Sequence, residues 1–257
     1  MYKFRVLDKV SHIEILSGDL LSFPSPDKFN DPFDCAIPIH YDQGSKKEIT
    51  GYWEEHLKKS RPDLNRRERR KAAIDAYKEI RKGGERTVKI QKGIIDTTVG
   101  VFSLSGNYKS ILLWSHYANS HKGFCIGFSV NKLKKFCHKR NAEAGEVISL
   151  EEVEYRDKYP FIDYRASKDE RLKSQLLTKS LEWQYEREYR LIWFLGANKK
   201  LKIDDGIIRR VILGCKMIQD DKDKIISILK ARKSRIHLYE AREKEDSFGL
   251  DFELIHY

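Results

Sequence analysis

The sequence predicts an α+β protein on a mixed or antiparallel central sheet with short flanking helices. Strand-like stretches come in groups instead of alternating with helices, and a helical excursion interrupts them. No GxGxxG follows the first strand and no GxxxxGK[ST] occurs, which excludes both common nucleotide-binding loops. At 257 residues the chain is long enough to bury a core without disulfides or a structural metal. The pattern predicts one domain over residues 1–257, with a basic helical insertion at about 46–92.

Each element has a local reason. Tyr2–Val6 alternates and reads as a first strand. Val10–Leu16 is a short helix closed by Ser17-Gly18, and Leu20–Phe23 is a second strand. Pro24–Ile39 holds four of the six prolines together with Asn30 and Asp31, so it is an ordered loop. A helix over Glu48–Lys59 precedes a second one, which starts at Pro62-Asp63 and ends at Gly83-Gly84. In that second helix Ala73, Ile74, Tyr77 and Ile80 recur at helical spacing. Val99–Ser105 (strand), Ile111–Ala118 (helix) and Gly123–Ser129 (strand) follow. A helix from Lys168 to Leu181 then leads into Tyr185–Phe194, the strongest strand signal. The chain ends in a β-α-β-β segment: Ile207–Leu213, Asp220–Ala231, Arg235–Ala241 and Leu250–Ile255.

Composition narrows the classes. An aromatic fraction of 11% argues against disorder. No run of about 18 apolar residues is present, and MYKFRVLDKV has no apolar signal core, so the sequence predicts no membrane span and no secretory leader. Cys35, Cys125, Cys137 and Cys215 lie far apart with no CxxC, which fits reduced thiols in a cytoplasmic protein and disfavours thiolate zinc. The net charge of +11 points to a polyanionic partner. Between Lys58 and Lys92 stand 14 Lys/Arg against 5 Asp/Glu. This hairpin is either a solvated face or a nucleic-acid surface, with only Tyr52, Trp53 and Tyr77 as stacking candidates.

Four constellations carry chemistry. Period two along Trp183–Ile192 puts Glu186, Glu188 and Arg190 on one strand face, a costly group to bury without purpose. It reads as a rim salt bridge, or as a catalytic carboxylate with a supporting one and an Arg that orients it or binds phosphate. Ser103 and Ser105 share a strand face as small donors. Trp114, His116, Tyr117 and His121 cluster on a helix that either fills core or stacks on a flat ring. The five-residue spacing of His116 and His121 suits zinc poorly and no HExxH accompanies it, so no metal is expected. Phe29–Cys35 is a rigid loop, either scaffold or a wall of the site.

Taken together, these blocks resemble the bacterial family known as domain of unknown function 2971. The resemblance rests on Tyr2-Lys3-Phe4-Arg5, Phe29-Asn30-Asp31-Pro32-Phe33-Asp34, Phe102-Ser103-Leu104-Ser105, Leu113–Ala118 and His121-Lys122-Gly123, with Lys179, Trp183, Glu186, Glu188 and Arg190. More loosely, a cationic first strand followed by SxS and ExE strands resembles the ADP-ribosyltransferase superfamily, including toxin and phage-defence effectors. That resemblance implies NAD as substrate, Glu188 as catalytic acid and Glu186 as its support. It implies Arg5 or Lys3 on the pyrophosphate and Ser103 and Ser105 at the nicotinamide. The Trp114–Tyr117 helix has no counterpart in that superfamily; the side chains themselves add Trp114 or Tyr117 as a stacking partner for the nicotinamide, with His116 and Arg190 in the same binding set. The residues leave two alternatives open. One is a metal-dependent nuclease using Glu186, Glu188 and Asp31 or Asp34. The other is a non-catalytic nucleic-acid-binding or sensor protein.

Overall fold

The structure is a computed structural model that describes residues 1–83 and 85–257, with the backbone alone for 85–88 and 91. Its first half contains β1 (Tyr2–Arg5), α1 (Val10–Gly18), β2 (Leu20–Phe23), β3 (Ile39–His40), α2 (Lys46–Ser60), α3 (Arg66–Arg81), α4 (Glu85–Thr98), β4 (Val99–Ser105), α5 (Ile111–Tyr117) and β5 (Phe124–Phe128). The second half adds α6 (Val130–Ala144), β6 (Val147–Glu152), β7 (Glu154–Arg156), β8 (Ile162–Asp163), α7 (Lys168–Leu177), β9 (Thr178–Ser180) and β10 (Glu188–Phe194). It closes with β11 (Lys199–Lys202), β12 (Ile208–Leu213), α8 (Gln219–Lys230), β13 (His237–Glu243) and β14 (Leu250–Ile255).

Eight strands form one sheet in the order β14-β13-β12-β5-β1-β4-β10-β6. All neighbours are antiparallel except β12 and β13, which need the α8 crossover to run parallel. The molecule is therefore α+β with a mixed sheet, as the sequence predicts. One sheet face packs Phe102, Leu104, Ile126, Leu191 and Val211 against Leu16, Leu133 and Ile225 from α1, α6 and α8. The other face is covered twice: α5 lays Trp114 over Phe4, Cys125 and Ile212, while α4 and α7 lay Ile95 and Leu176 over Val101 and Ile192. Polar residues of β4 and β10 lie in the gap between these two covers.

Several expectations are corrected. The second helix of the insertion starts later than Pro62-Asp63, because Asn65 and Glu68 form a reciprocal cap there. A third helix, α4, then runs directly into β4. Gly84, half of the expected Gly83-Gly84 stop, lies outside the described residues. Ile49 and Ile80 of the insertion share a core with Ile37, Ile39, Ile162 and Tyr164, which seats the insertion on the β3–β8 ribbon. The helix expected over Lys168–Leu181 stops at Leu177, where Thr178–Ser180 turns extended to pair with β7. A 3₁₀ turn over Leu181–Glu186 follows, and Arg187 takes a left-handed φ of 45°. The strand expected from Tyr185 therefore starts at Glu188.

Candidate active-site cleft

β1 pairs with β5 at four positions but with β4 at one, Tyr2 opposite Ser105. Beyond that point β1 and β4 part, and a cleft of about 880 Å³ opens between them. The size suits a drug- or cofactor-sized ligand. The parting also decides which side chains meet. Directly paired residues share a face, so Ser105 and Ser103 stand beside Glu188 and Arg190. Lys3 and Arg5 leave β1 on the opposite face, over the Phe102 ring at 5.0 and 5.7 Å. In an unbroken sheet they would never see Glu188. The opening brings Lys3, Arg5, Ser103, Ser105, His116, Tyr117, Glu186 and Glu188 to one cleft.

Its floor is a buried ion cluster. Lys179 Nζ donates to Glu186 Oε2 at 2.6 Å and Glu188 Oε2 at 3.0 Å, and lies 3.9 Å from Asp34 Oδ2. Arg190 donates to Glu188 through Nε (2.9 Å) and Nη2 (3.1 Å), to Asp34 Oδ2 through Nη2 (2.6 Å), and to the Leu176 carbonyl through Nη1 (2.6 Å). Tyr117 donates its hydroxyl proton to Glu186 Oε1 at 2.7 Å. Burial opposes charge on Glu188, but Arg190 and Lys179 outweigh it, and with a Ser103 hydrogen bond they hold its carboxyl at about 2. Burial works against Lys179 as well, yet Glu188, Glu186 and Asp34 raise its pKa and keep it an ammonium. Across the cleft, burial and the neighbouring Arg5 lower Lys3 well below the usual lysine range.

Backbone geometry sets these positions. Glu186 belongs to the 3₁₀ turn instead of the strand, so period two does not place it. Ser105 does, by donating its hydroxyl to the Glu186 carbonyl at 2.6 Å, and the left-handed Arg187 returns the chain to β10. Asp34 arrives on the proline-rich loop, where Asp31 accepts the Phe33 N–H at 2.9 Å and fixes the turn.

Two residues of the expected binding set stand elsewhere. Trp114 is fully buried, donates its indole N–H to the Tyr108 carbonyl at 2.8 Å and meets Phe4 edge-on, so it supports β1 from behind. Arg190 is also fully buried, and its nitrogens are engaged by Glu188, Asp34 and Leu176, so it orients the acids and leaves no free face for phosphate. His116 and Tyr117 line the cleft. Conversely, Lys179 belongs to the site, although the sequence singled it out only as part of a pattern, and Asp34, considered there as a metal ligand, pairs with Arg190. A lone lysine in Leu-Leu-Thr-Lys-Ser-Leu, just upstream of the acids, was the available signal.

The nuclease alternative meets a charge obstacle. Asp34, Glu186 and Glu188 are already paired with Lys179 and Arg190, and Asp31 is spent on its own turn. Among the described residues no group of three or more His, Cys, Asp or Glu is arranged to hold a metal ion. None of the described helices is long and apolar enough to cross a membrane.

Fold and site together define an α+β protein with a cation-clamped acid at the floor of a cleft opened within its sheet. Residues 113–191, from α5 into β10, match the family described as a protein of unknown function, DUF2971. That stretch contains Leu113–Ala118, His121–Gly123, Lys179, Trp183, Glu186, Glu188 and Arg190, while the β1, Phe29–Asp34 and Phe102–Ser105 blocks lie outside it. No curated protein and no solved structure matches the chain.

Proposed function

We propose that the cleft binds NAD and cleaves its nicotinamide–ribose bond, passing ADP-ribose to a macromolecule or to water. The observation that carries this reading is Glu188, an acid kept ionised at the floor of a cleft whose far wall carries the Arg5 guanidinium. Cleavage passes through an oxocarbenium-like state in which positive charge grows on the ribose. A fixed carboxylate beside that sugar gains interaction energy as the charge develops, which lowers the barrier and not merely the ground state. Arg190 and Lys179 supply three of the donors on Glu188, and Ser103 supplies the neutral, replaceable one. The ribose 2′-hydroxyl takes over the Ser103 position on the carboxylate. Glu186, oriented by Tyr117 and Lys179, receives the acceptor's proton.

Release of nicotinamide from NAD tests this. Glu188→Gln should lower the rate by at least about 100-fold. A circular-dichroism melt of the same variant shows whether the fold survived, and Glu188→Asp, which keeps the charge but shortens the reach, should lose turnover with less change in melting. Wild-type rates in a folded Glu188→Gln would end the assignment.

For the acceptor we infer a polyanion such as nucleic acid, on the strength of α3. Arg66, Arg67, Arg70 and Lys71 are exposed there, while its neighbouring acids pair elsewhere: Asp75 with Lys78, and Glu68 with the Asn65 cap. Binding should weaken steeply with salt, with log K falling by about 0.7 per phosphate contact and decade of salt on single strands. Salt-insensitive binding, or none, would remove this acceptor.

A further inference from the structure

Lys3 has no part in the chemistry proposed for Glu188, yet its setting differs from that of a surface lysine. It pairs with Ile126 on β5 and Arg5 pairs with Phe124, so both side chains leave β1 on the face those buried residues share. The Phe102 ring lies beneath the nitrogen, its centroid 5.0 Å from Lys3 Nζ. Period two also sets Arg5, a second basic group, beside Lys3 on that face. The acids of the cleft offer no compensation. Asp34, Glu186 and Glu188 are bound by Lys179 and Arg190, and among the described residues none forms an ion pair or hydrogen bond with Lys3. A protonated amine over apolar surface, next to a cation and without a counter-ion, is costly, and such a group sheds its proton. Lys3 is accordingly held well below the usual lysine range, by burial first and by Arg5 second. Lys179, in the same cleft, is kept an ammonium by its three carboxylates. Two lysines driven apart by their surroundings take different roles. Lys3 Nζ also has access: the side chain lines the cleft, and its nitrogen is not sealed off as Arg5 Nε is.

We infer that Lys3 is a nucleophilic amine that captures an aldehyde entering the cleft as an imine. The inference stands on the wall formed by Lys3, Phe102 and Arg5 and does not require NAD. A lysine is a nucleophile only through its free lone pair, which an apolar wall and a neighbouring cation make available at neutral pH. That pair forms the new C–N bond at the carbonyl carbon, while the second C–O bond breaks and its electrons go to oxygen. Both amine protons pass to that oxygen through solvent, it leaves as one molecule of water, and a C=N bond remains. An aldehyde suits this wall better than an ester or a phosphate. It is uncharged and expels only water, so no anion has to be accommodated over Phe102.

Benzaldehyde is the probe, added to the full chain at neutral pH and locked by borohydride, whose hydride reduces the C=N bond to a stable secondary amine. Peptide mass spectrometry with fragmentation then locates the adduct and separates Lys3 from the Met1 amine, which donates to the Phe128 carbonyl. Lysines in water are almost wholly protonated at neutral pH, so Lys3 should be labelled at least about 10-fold faster than the exposed Lys71. Without borohydride the chain should return unmodified, because the imine hydrolyses. Lys3→Arg should lose the fast adduct. Arg5→Gln provides a test that keeps the amine in place: with the neighbouring cation gone Lys3 holds its proton more firmly, and its labelling should slow at least about 3-fold. A lysine that serves only to pack against Phe102 would not respond in that way. Labelling of Lys3 no faster than that of Lys71 in the wild type, or a rate that Arg5→Gln leaves unchanged, would overturn the inference.

Discussion

At the scale of single residues, Lys179 has the most asymmetric role. It is the shared counter-ion of Glu186 and Glu188 in a site where neither acid meets bulk water. Removing one partner of a buried pair strands the other charge, typically at about 3–5 kcal/mol. Lys179→Met should therefore destabilise by about 3 kcal/mol in urea unfolding, far more than a surface lysine, and a change below about 1 kcal/mol would show that the cluster tolerates the stranded charge. The cluster also sets a pH dependence. Glu188 is held at about 2, below its ordinary value, so its contribution is fully present above the unfolded carboxylate range near 4.5. Stability should fall as pH drops from there toward 2. In Glu188→Gln that segment of the stability–pH curve should flatten, and an unchanged slope would assign it to other carboxylates. Glu188 and Ser103 were legible in the sequence because charged or hydroxyl groups are rare at strand positions between core residues, whereas Glu186 was singled out by a strand spacing that its 3₁₀ turn does not keep, and Lys3 and Arg5 entered through the resemblance alone. Asp34 was named as a metal-ligand candidate, but its pairing with Arg190 was not legible, since the two stand 156 residues apart, a distance no local pattern spans. Trp114 was misplaced for a related reason: one aromatic helix face serves equally as core and as stacking platform, and only its burial separates the two.

At the scale of elements, the site depends on where β1 ends. Gly123, just before β5, is buried against it, and a Cβ there would overlap the Arg5 carbonyl oxygen and crowd the Ala118 backbone. Gly123→Ala should thus cost about 1–3 kcal/mol by overpacking. Gly51, in the exposed middle of α2, has nothing within 4 Å of the same added atom, so Gly51→Ala should stabilise by about 0.5–1 kcal/mol. Equal effects of the two substitutions in thermal melts would deny the tight approach of β1 to this corner. Elements with long, regular apolar spacing, such as β4, β10 and α8, were readable from sequence. The stretch of α6 and β6 to β8 was not, because α6 is dominated by Lys, His, Arg and Asn, and β7 and β8 are two or three residues long and exist only through distant partners. The turn before β10 misled for the opposite reason. Trp183-Gln184-Tyr185-Glu186 alternates like a strand, yet the Ser105 and Lys179 contacts bend it into 3₁₀ form.

At the scale of the whole molecule, the parting of β1 from β4 sorts charge along one cleft. Its floor sets three carboxylates, Asp34, Glu186 and Glu188, against two cations, Lys179 and Arg190, leaving one negative charge in excess. Its other end presents Arg5, Lys9 and the open start of α1. On the proposed reading, the cationic nicotinamide ring of the ligand meets the acids and its diphosphate meets the basic end. NAD meets that description in its oxidised form only, because reduction removes the positive charge of the nicotinamide ring while leaving shape and diphosphate nearly unchanged. In a low-dielectric site one such charge is worth more than in water, and about 1.4 kcal/mol is a tenfold change in affinity. Oxidised NAD should accordingly bind at least about 10-fold more tightly than its reduced form in calorimetry. That preference should shrink in Glu186→Gln, where the excess charge is gone. Indistinguishable affinities for the two redox forms would mean that the acid cluster does not face the ring, and the arrangement of ligand along the cleft would have to be reversed.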